Sequence, residues 1–189
     1  MAYTTAANVK TYAGIGVSTH DTLLGVLIPQ AQAAIDRHCN RTFEASANAT
    51  RYFDAIGPHI GGGVLWLDRD LCAINSVTNG DSESLTGTHY VTFPRNETPY
   101  YGLKLKTGSG KAWSYATDWE NAIAFSGKWA FSETAPADIV QAAVRLAAFY
   151  YRQKDAPLQD VTAIEAGTVV KPVSFPDDVR ALLMPYRRV

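Results

Sequence analysis

The stretch Pro136-Ala137-Asp138-Ile139-Val140-Gln141-Ala142-Ala143-Val144-Arg145-Leu146-Ala147-Ala148-Phe149-Tyr150-Tyr151-Arg152 decides how the rest of the chain reads. Proline is tolerated in a first helical turn, because the N–H it lacks would have had no intrahelical acceptor. Ile139, Ala143, Leu146 and Tyr150 then recur at steps of three and four residues, with Val140, Val144, Ala147 and Tyr151 beside them. A stripe that wide faces a core, and its alanines permit close helix packing. The spacing predicts a helix that opens at Pro136 and ends near Lys154.

The partners for that helix come from both ends of the chain. A first helix is predicted from Thr4 or Thr5, either of which can cap it by accepting a bond from a free backbone N–H. Val9, Tyr12 and Ala13 form its short apolar face, and Gly14 and Gly16 end it. A second helix has capping oxygens at Ser18, Thr19 and Asp21. Its face runs through Leu24, Leu27 or Ile28, Ala31, Ala34 or Ile35, and His38. Pro29 inside this run removes one N–H and predicts a kink, in preference to the alternative that it marks the true start of the helix. A last short helix starts at Pro176-Asp177-Asp178, with Val179, Leu182 and Leu183 lining one face, and ends at Met184-Pro185, leaving the basic tail Tyr186-Arg187-Arg188-Val189. Residues 156–175 show no period and contain Pro157, Gly167 and Pro172, so an extended arm is expected there.

Between the helical ends the texture changes. Arg51-Tyr52-Phe53, Val64-Leu65-Trp66-Leu67, Cys72 to Thr78, Tyr90-Val91-Thr92-Phe93, Tyr101 to Lys106 and Ala122 to Phe125 read as strands. Gly61-Gly62-Gly63, Asp68-Arg69-Asp70, Asn79-Gly80-Asp81 and Gly108-Ser109-Gly110 read as turns, the Asn-Gly pair because both residues tolerate positive φ. Short strands at this spacing suggest a small sandwich or barrel. The expected fold class is therefore α+β: a helical bundle formed by both chain ends, with an inserted small antiparallel β subdomain. The expected divisions are 1–49 for the N-terminal helices, 50–132 for the β insertion, 133–155 for the third helix, and 156–189 for the arm with the C-terminal helix and tail.

Composition narrows the function classes. Of 189 residues, 47% are hydrophobic and 19% charged, which is enough to bury a core, and the formal net charge is −1. A protein gripping nucleic acid across a broad basic face needs clustered Lys and Arg, and that balance argues against one. Cys39 and Cys72 form no close pair, the usage of a reducing compartment. Neither a signal peptide nor a membrane span is expected.

No motif supports catalysis. Gly108-Ser109-Gly110-Lys111 resembles part of a phosphate-binding loop, but Leu105 and Ala112 stand where that pattern needs Gly and Ser or Thr, so a hairpin turn explains it. Gly61-Gly62-Gly63 precedes a strand, where a nucleotide fold would place a helix. His20, His38, His59 and His89 show no metal-ligand spacing, and there is no Gly-x-Ser-x-Gly elbow. Asp68 and Asp70 fit turn-forming roles. No catalytic, cofactor-binding or metal-binding residues are expected, and the protein is read as not an enzyme. The aromatic density of the β segment, Trp66, Trp113, Trp119 and Trp129 with Tyr100, Tyr101 and Tyr115, fits a core plus a protein contact surface better than a sugar-stacking platform. Trp66, Trp113 and Trp119 are the expected subunit-interface residues. Tyr186, Arg187 and Arg188 are the expected partner anchor.

Three stretches in order carry a resemblance. Tyr3-Thr4-Thr5-Ala6-Ala7-Asn8-Val9-Lys10, with Asp21-Thr22-Leu23-Leu24 and then Ala34-Ile35-Asp36-Arg37-His38-Cys39-Asn40-Arg41-Thr42-Phe43, resembles the N-terminal helices of the head–tail connector (adaptor) proteins of tailed bacteriophages. Leu65-Trp66-Leu67-Asp68-Arg69-Asp70-Leu71 and Ser76-Val77-Thr78-Asn79-Gly80-Asp81 resemble the β insertion of longer members. Phe125-Ser126-Gly127-Lys128-Trp129, Pro136-Ala137-Asp138-Ile139, Ala142-Ala143 and Tyr150-Tyr151-Arg152 resemble their strand-to-helix return. Ala130 stands where the family usually has a further glycine. The resemblance implies a structural virion protein at the head–tail junction, forming a ring, often of twelve copies, beneath the portal. It implies that the C-terminal part reaches the portal, that the opposite face meets a stopper or tail protein, and that DNA passes through the lumen. It implies no cofactor. A tail completion or stopper protein of the neck is the nearest alternative, and a β-rich carbohydrate-binding module a more distant one.

Overall fold

In a computed structural model, residues 2–45, 47–154, 162–163, 169–170 and 175–188 are described. The chain divides into two units, Arg41–Ala135 and Ala2–Asn40 with Pro136–Val189. The second unit is helical and the first is built of antiparallel sheets, an α+β fold.

In the helical unit, α1 (Ala6–Ala13), α2 (Asp21–Cys39), α3 (Ala137–Gln153) and α4 (Asp177–Leu183) surround one core. Thr5 caps α1, its hydroxyl accepting from the Asn8 N–H at 3.3 Å. Gly14 closes the helix at φ +70°, a left-handed conformation open to glycine. Thr5→Ala is expected to lower the stability of this unit by about 1 kcal/mol in urea denaturation. The expected cap of α2 is corrected. His20 occupies the cap position and no side chain caps the helix, because Asp21 already lies inside it and turns its carboxylate to Lys10 Nζ at 2.8 Å. The α2 core face is Leu24, Ile28, Ala31, Ile35 and Cys39. Cys39 takes the position expected of His38, since steps of four bring residue 39 back under residue 35. Pro29 is exposed and lies within a continuous helix.

Helix α3 packs against α1, α2 and α4. Ile139, Ala142, Ala143, Val144, Leu146, Ala147 and Ala148 are buried along it, so small residues lie where neighbouring backbones approach. Tyr150 and Tyr151 are half-buried. Arg145 ties α3 to α4 through Asp178 at 2.8 Å. Met184–Tyr186 forms a 3-10 turn that extends α4 past the expected stop at Met184-Pro185. The buried Tyr3 donates its hydroxyl to Asp36 Oδ1 at 2.5 Å, and its N–H to Gln32 Oε1 at 3.2 Å.

Burial pushes the Asp36 carboxyl above its usual range, although the Tyr3 hydroxyl pulls the other way. In the unfolded chain Asp36 ionises at lower pH, so this group's contribution to stability falls as pH rises from the unfolded to the folded pKa, then levels. Asp36→Asn keeps an acceptor for Tyr3 and removes that fall. Its stability advantage over the parent is expected at neutral pH and should vanish in acid, as read by denaturant midpoints across pH. An advantage that persists in acid would show that desolvation is not its source.

The β unit holds β1 (Ala49–Phe53), β2 (Ile60–Gly61), β3 (Val64–Leu71), β4 (Ala73–Thr78), β5 (Ser84–Leu85), β6 (Tyr90–Phe93), β7 (Tyr100–Leu105) and β8 (Ile123–Lys128). They pair antiparallel into two four-stranded sheets, ordered β1-β8-β4-β5 and β2-β3-β7-β6. Phe53, Val77, Leu85, Ile123 and Phe125 of the first sheet share a core with Leu65, Leu67, Leu71, Leu103 and Leu105 of the second. Strand β8 shows how alternation sets this face: Ile123, Phe125 and Gly127 are buried, while the residues between them are half-buried. Trp129 Nε1 donates to the Ala49 carbonyl at 2.8 Å.

One expected turn is corrected, and a second is present on other grounds than its Asn-Gly pair. Asp68-Arg69-Asp70 lies inside β3, where the pairing with β7 is irregular between Trp66 and Leu71. Asp70 is 5% exposed and pairs with Arg41, whose Nε lies 3.2 Å away and whose guanidinium carbon stands over the Phe131 ring. Asn79-Gly80 does turn the chain, but the residue at positive φ is Ser82. Gly80 is required by space: a Cβ there would sit 2.3 Å from the Ser114 carbonyl oxygen. Buried Asn79 holds the crossing segment, donating to the Ala112 carbonyl and the Ser114 hydroxyl and accepting from the Ser114 N–H.

Of the expected arm, Thr162–Ala163 (β9) and Val169–Val170 (β10) pair antiparallel. The remainder of residues 156–174 lies outside the described residues.

Candidate interaction surfaces

The exposed aromatic residues of the β unit are held by backbone geometry. Trp66 is 39% exposed on β3 and stacks on Tyr101 of β7, with ring centroids 6.2 Å apart and planes 8° apart. Phe93 of β6 flanks it at 6.1 Å. Gly102 pairs opposite Trp66, and a Cβ there would meet both the Trp66 ring and Val64 at 3.0 Å. The glycine thus makes room for an outward-facing aromatic plate. Trp113 is placed differently: it is half-buried against Phe125 and donates Nε1–H to the Gly63 carbonyl. Trp119 is 38% exposed in the loop before β8, flanked by exposed Asp118 and Glu120.

The C-terminal anchor residues separate in role. The Tyr186 hydroxyl donates to Asp138 Oδ2 at 3.1 Å, and burial together with that carboxylate pushes its pKa up. The Arg188 N–H donates to the Cys39 carbonyl at 2.9 Å. These two contacts fold the tail onto the helical unit. Arg187 is exposed between them. It borders an open recess of about 380 Å³ lined by His38, Asp177, Arg180, Ala181, Met184 and Arg187. Met184 is 78% exposed. His38 stacks on Phe175 at 5.0 Å, and burial, Arg187 and Arg180 together lower its pKa. Sequence reading missed this recess, because His38 was assigned to the core face and the arginines lie two elements away. The available signal was Met184, an apolar residue beyond the last buried leucine.

Among the described residues, no group of three or more His, Cys, Asp or Glu is placed to hold a metal ion. Among the same residues, no helix is long and apolar enough to cross a membrane.

The described surface thus includes an aromatic plate, an acidic aromatic loop and a basic recess, features suited to protein contacts. A family model described as head completion protein matches residues 2–189. The chain belongs to the head completion protein family. This agrees with the resemblance to head–tail connectors carried by the N-terminal helices and the strand-to-helix return. No curated protein matches the chain. Solved structures do. A chain in the neck of a native gene transfer agent particle, computed with C12 symmetry, matches at TM-score 0.59 and 15% identity, over 97% of this chain and 87% of that one. A chain in the neck of the empty particle, computed with C6 symmetry, matches at TM-score 0.58 and 15% identity, over 97% and 88%. A chain in the virion of the native particle matches at TM-score 0.56 and 16% identity, over 97% and 88%. At such identities the likeness is one of fold, and it extends through both units of this head completion family member.

Proposed function

We propose that the protein is a structural, non-catalytic component of a phage-like virion neck, where copies form a ring between the portal and the tail or neck proteins and surround the DNA passage. The observation that carries this reading is the family match across residues 2–189. The fold shared with neck chains of a particle solved under C12 and C6 symmetry supports a ring, and twelve copies in particular. The net charge of −1 suits a lumen that DNA traverses without being held. A ring needs two different, complementary faces on each copy. Exposed Trp66 and Trp119 are the proposed subunit-contact residues of the β unit, with the half-buried Trp113 as a third. At the C-terminus Arg187 is the proposed contact, with Tyr186 and Arg188 positioning it. Contact with the portal and with a stopper or tail protein is supported by the sequence resemblance alone.

Light scattering of the protein, alone and mixed with the portal complex of the same genome, tests the reading. A multi-subunit ring, or stoichiometric capture on the portal, is the expected result. A monomer that ignores the portal would overturn it.

A further inference from the structure

We infer that the recess around His38, Arg180, Arg187 and Met184 receives the Asp118-Trp119-Glu120 loop of a second copy of this chain. The inference rests on the ring reading and specifies its junction.

The recess combines cationic and apolar groups. Arg187 is exposed, and among the described residues Arg180 pairs with the 90% exposed Asp177 carboxylate at 3.5 Å, a weak pair in water. Met184 and Ala181 supply apolar surface between the charges. Methionine is unbranched and polarizable, so it conforms to an aromatic ring. The fitting ligand is therefore an aromatic side chain flanked by carboxylates.

This chain presents such a ligand. Asp118, Trp119 and Glu120 are consecutive and exposed, and the two acids carry no ion pair among the described residues. The loop is held in place: the Ala55 N–H donates to the Trp119 carbonyl at 2.8 Å, and the Asn121 N–H donates to Asp54 Oδ1 at 2.9 Å. Asn121 turns the chain at φ 52°. A tryptophan presented on a fixed backbone loses little freedom on docking, which is what makes such a residue an anchor. Loop and recess differ in charge and shape, so the contact is heterologous and each copy offers both halves.

Sedimentation equilibrium of the full chain up to millimolar concentration tests this with two variants. One carries Arg180→Glu and Arg187→Glu, the other Asp118→Arg and Glu120→Arg. All four positions are exposed, and circular dichroism checks that both variants fold. Each variant alone is expected to lose at least about tenfold in self-association. Mixed, they retain one intact loop and one intact recess between them, and their reversed loop and recess are complementary in turn, so self-association should return in the mixture. Self-association unchanged in either variant, a mixture that stays monomeric, or a parent chain that stays monomeric at millimolar concentration would each overturn the inference. If the portal still captures a ring of the parent, the ring reading survives that failure. If the portal ignores the parent, the ring reading falls as well.

Discussion

Replacing Asp70 with alanine is expected to destabilise the β unit by about 3–5 kcal/mol. Asp70 is 5% exposed, and its partner Arg41 has a side chain only 16% exposed. Removing the carboxylate leaves the guanidinium facing a site with little water, above the Phe131 ring. The cost is that of an uncompensated charge, which exceeds the net worth of the pair while it is intact. The companion change separates the two. Arg41→Met together with Asp70→Ala removes both charges and keeps most of the stem volume, so the double variant should be more stable than Asp70→Ala alone. Denaturant midpoints of the three proteins decide this. A double variant as unstable as the single one would mean that Asp70 acts through its other contacts.

Gly127→Ala is expected to cost about 3 kcal/mol, the upper end for overpacking. Gly127 lies on β8, between β1 and β4, paired with Ala49 and Ile74. Its backbone conformation is open to any residue; what it lacks is room. An added Cβ would stand 2.3 Å from the Ala73 carbonyl oxygen and 2.8 Å from Leu71 Cδ1. Leu71 can rotate away, but the carbonyl moves only if β4 separates from β8. The variant should therefore show, besides a lower urea midpoint, faster amide hydrogen exchange concentrated in β4. A midpoint within about 0.5 kcal/mol of the parent, the range of an ordinary surface change, would mean that the strands absorb the methyl without parting.

The elements that were legible in the sequence are those in which one local rule dominates. Helix α3 has a wide stripe, an N-terminal proline and no competing signal, and the structure runs it over Ala137–Gln153. Most strand segments between residues 51 and 125 were also readable from aromatic and β-branched runs. The misreadings share a cause, namely that a distant partner settled the outcome. Asp68-Arg69-Asp70 has turn composition, but the pairing of β3 with β7 and the Arg41–Asp70 ion pair hold it in a strand. Asn79-Gly80 signalled positive φ, whereas the glycine answers to a carbonyl 34 residues further along the chain. Surface roles were the least legible. Trp66, Trp113 and Trp119 are the same letter in sequence, and only strand register and loop contacts separate a stacked plate from a half-buried ring. The basic recess needed His38 and Arg187 to be brought together, which no local pattern encodes.

The two units also differ in when a growing chain can complete them. Every strand of the two sheets lies between Arg41 and Ala135, so the sandwich can close soon after Lys128 leaves the ribosome. The helical unit cannot. Leu24, Ile28 and Ile35 are the buried face of α2, which packs on a helix that begins at Ala137, and the Arg188 bond to Cys39 needs the last residue described. At about 5–20 residues per second, α1 and α2 wait for several seconds with their apolar faces uncovered. Late in that interval the nascent chain is a closed sandwich carrying a helical pair whose apolar faces still await their cover.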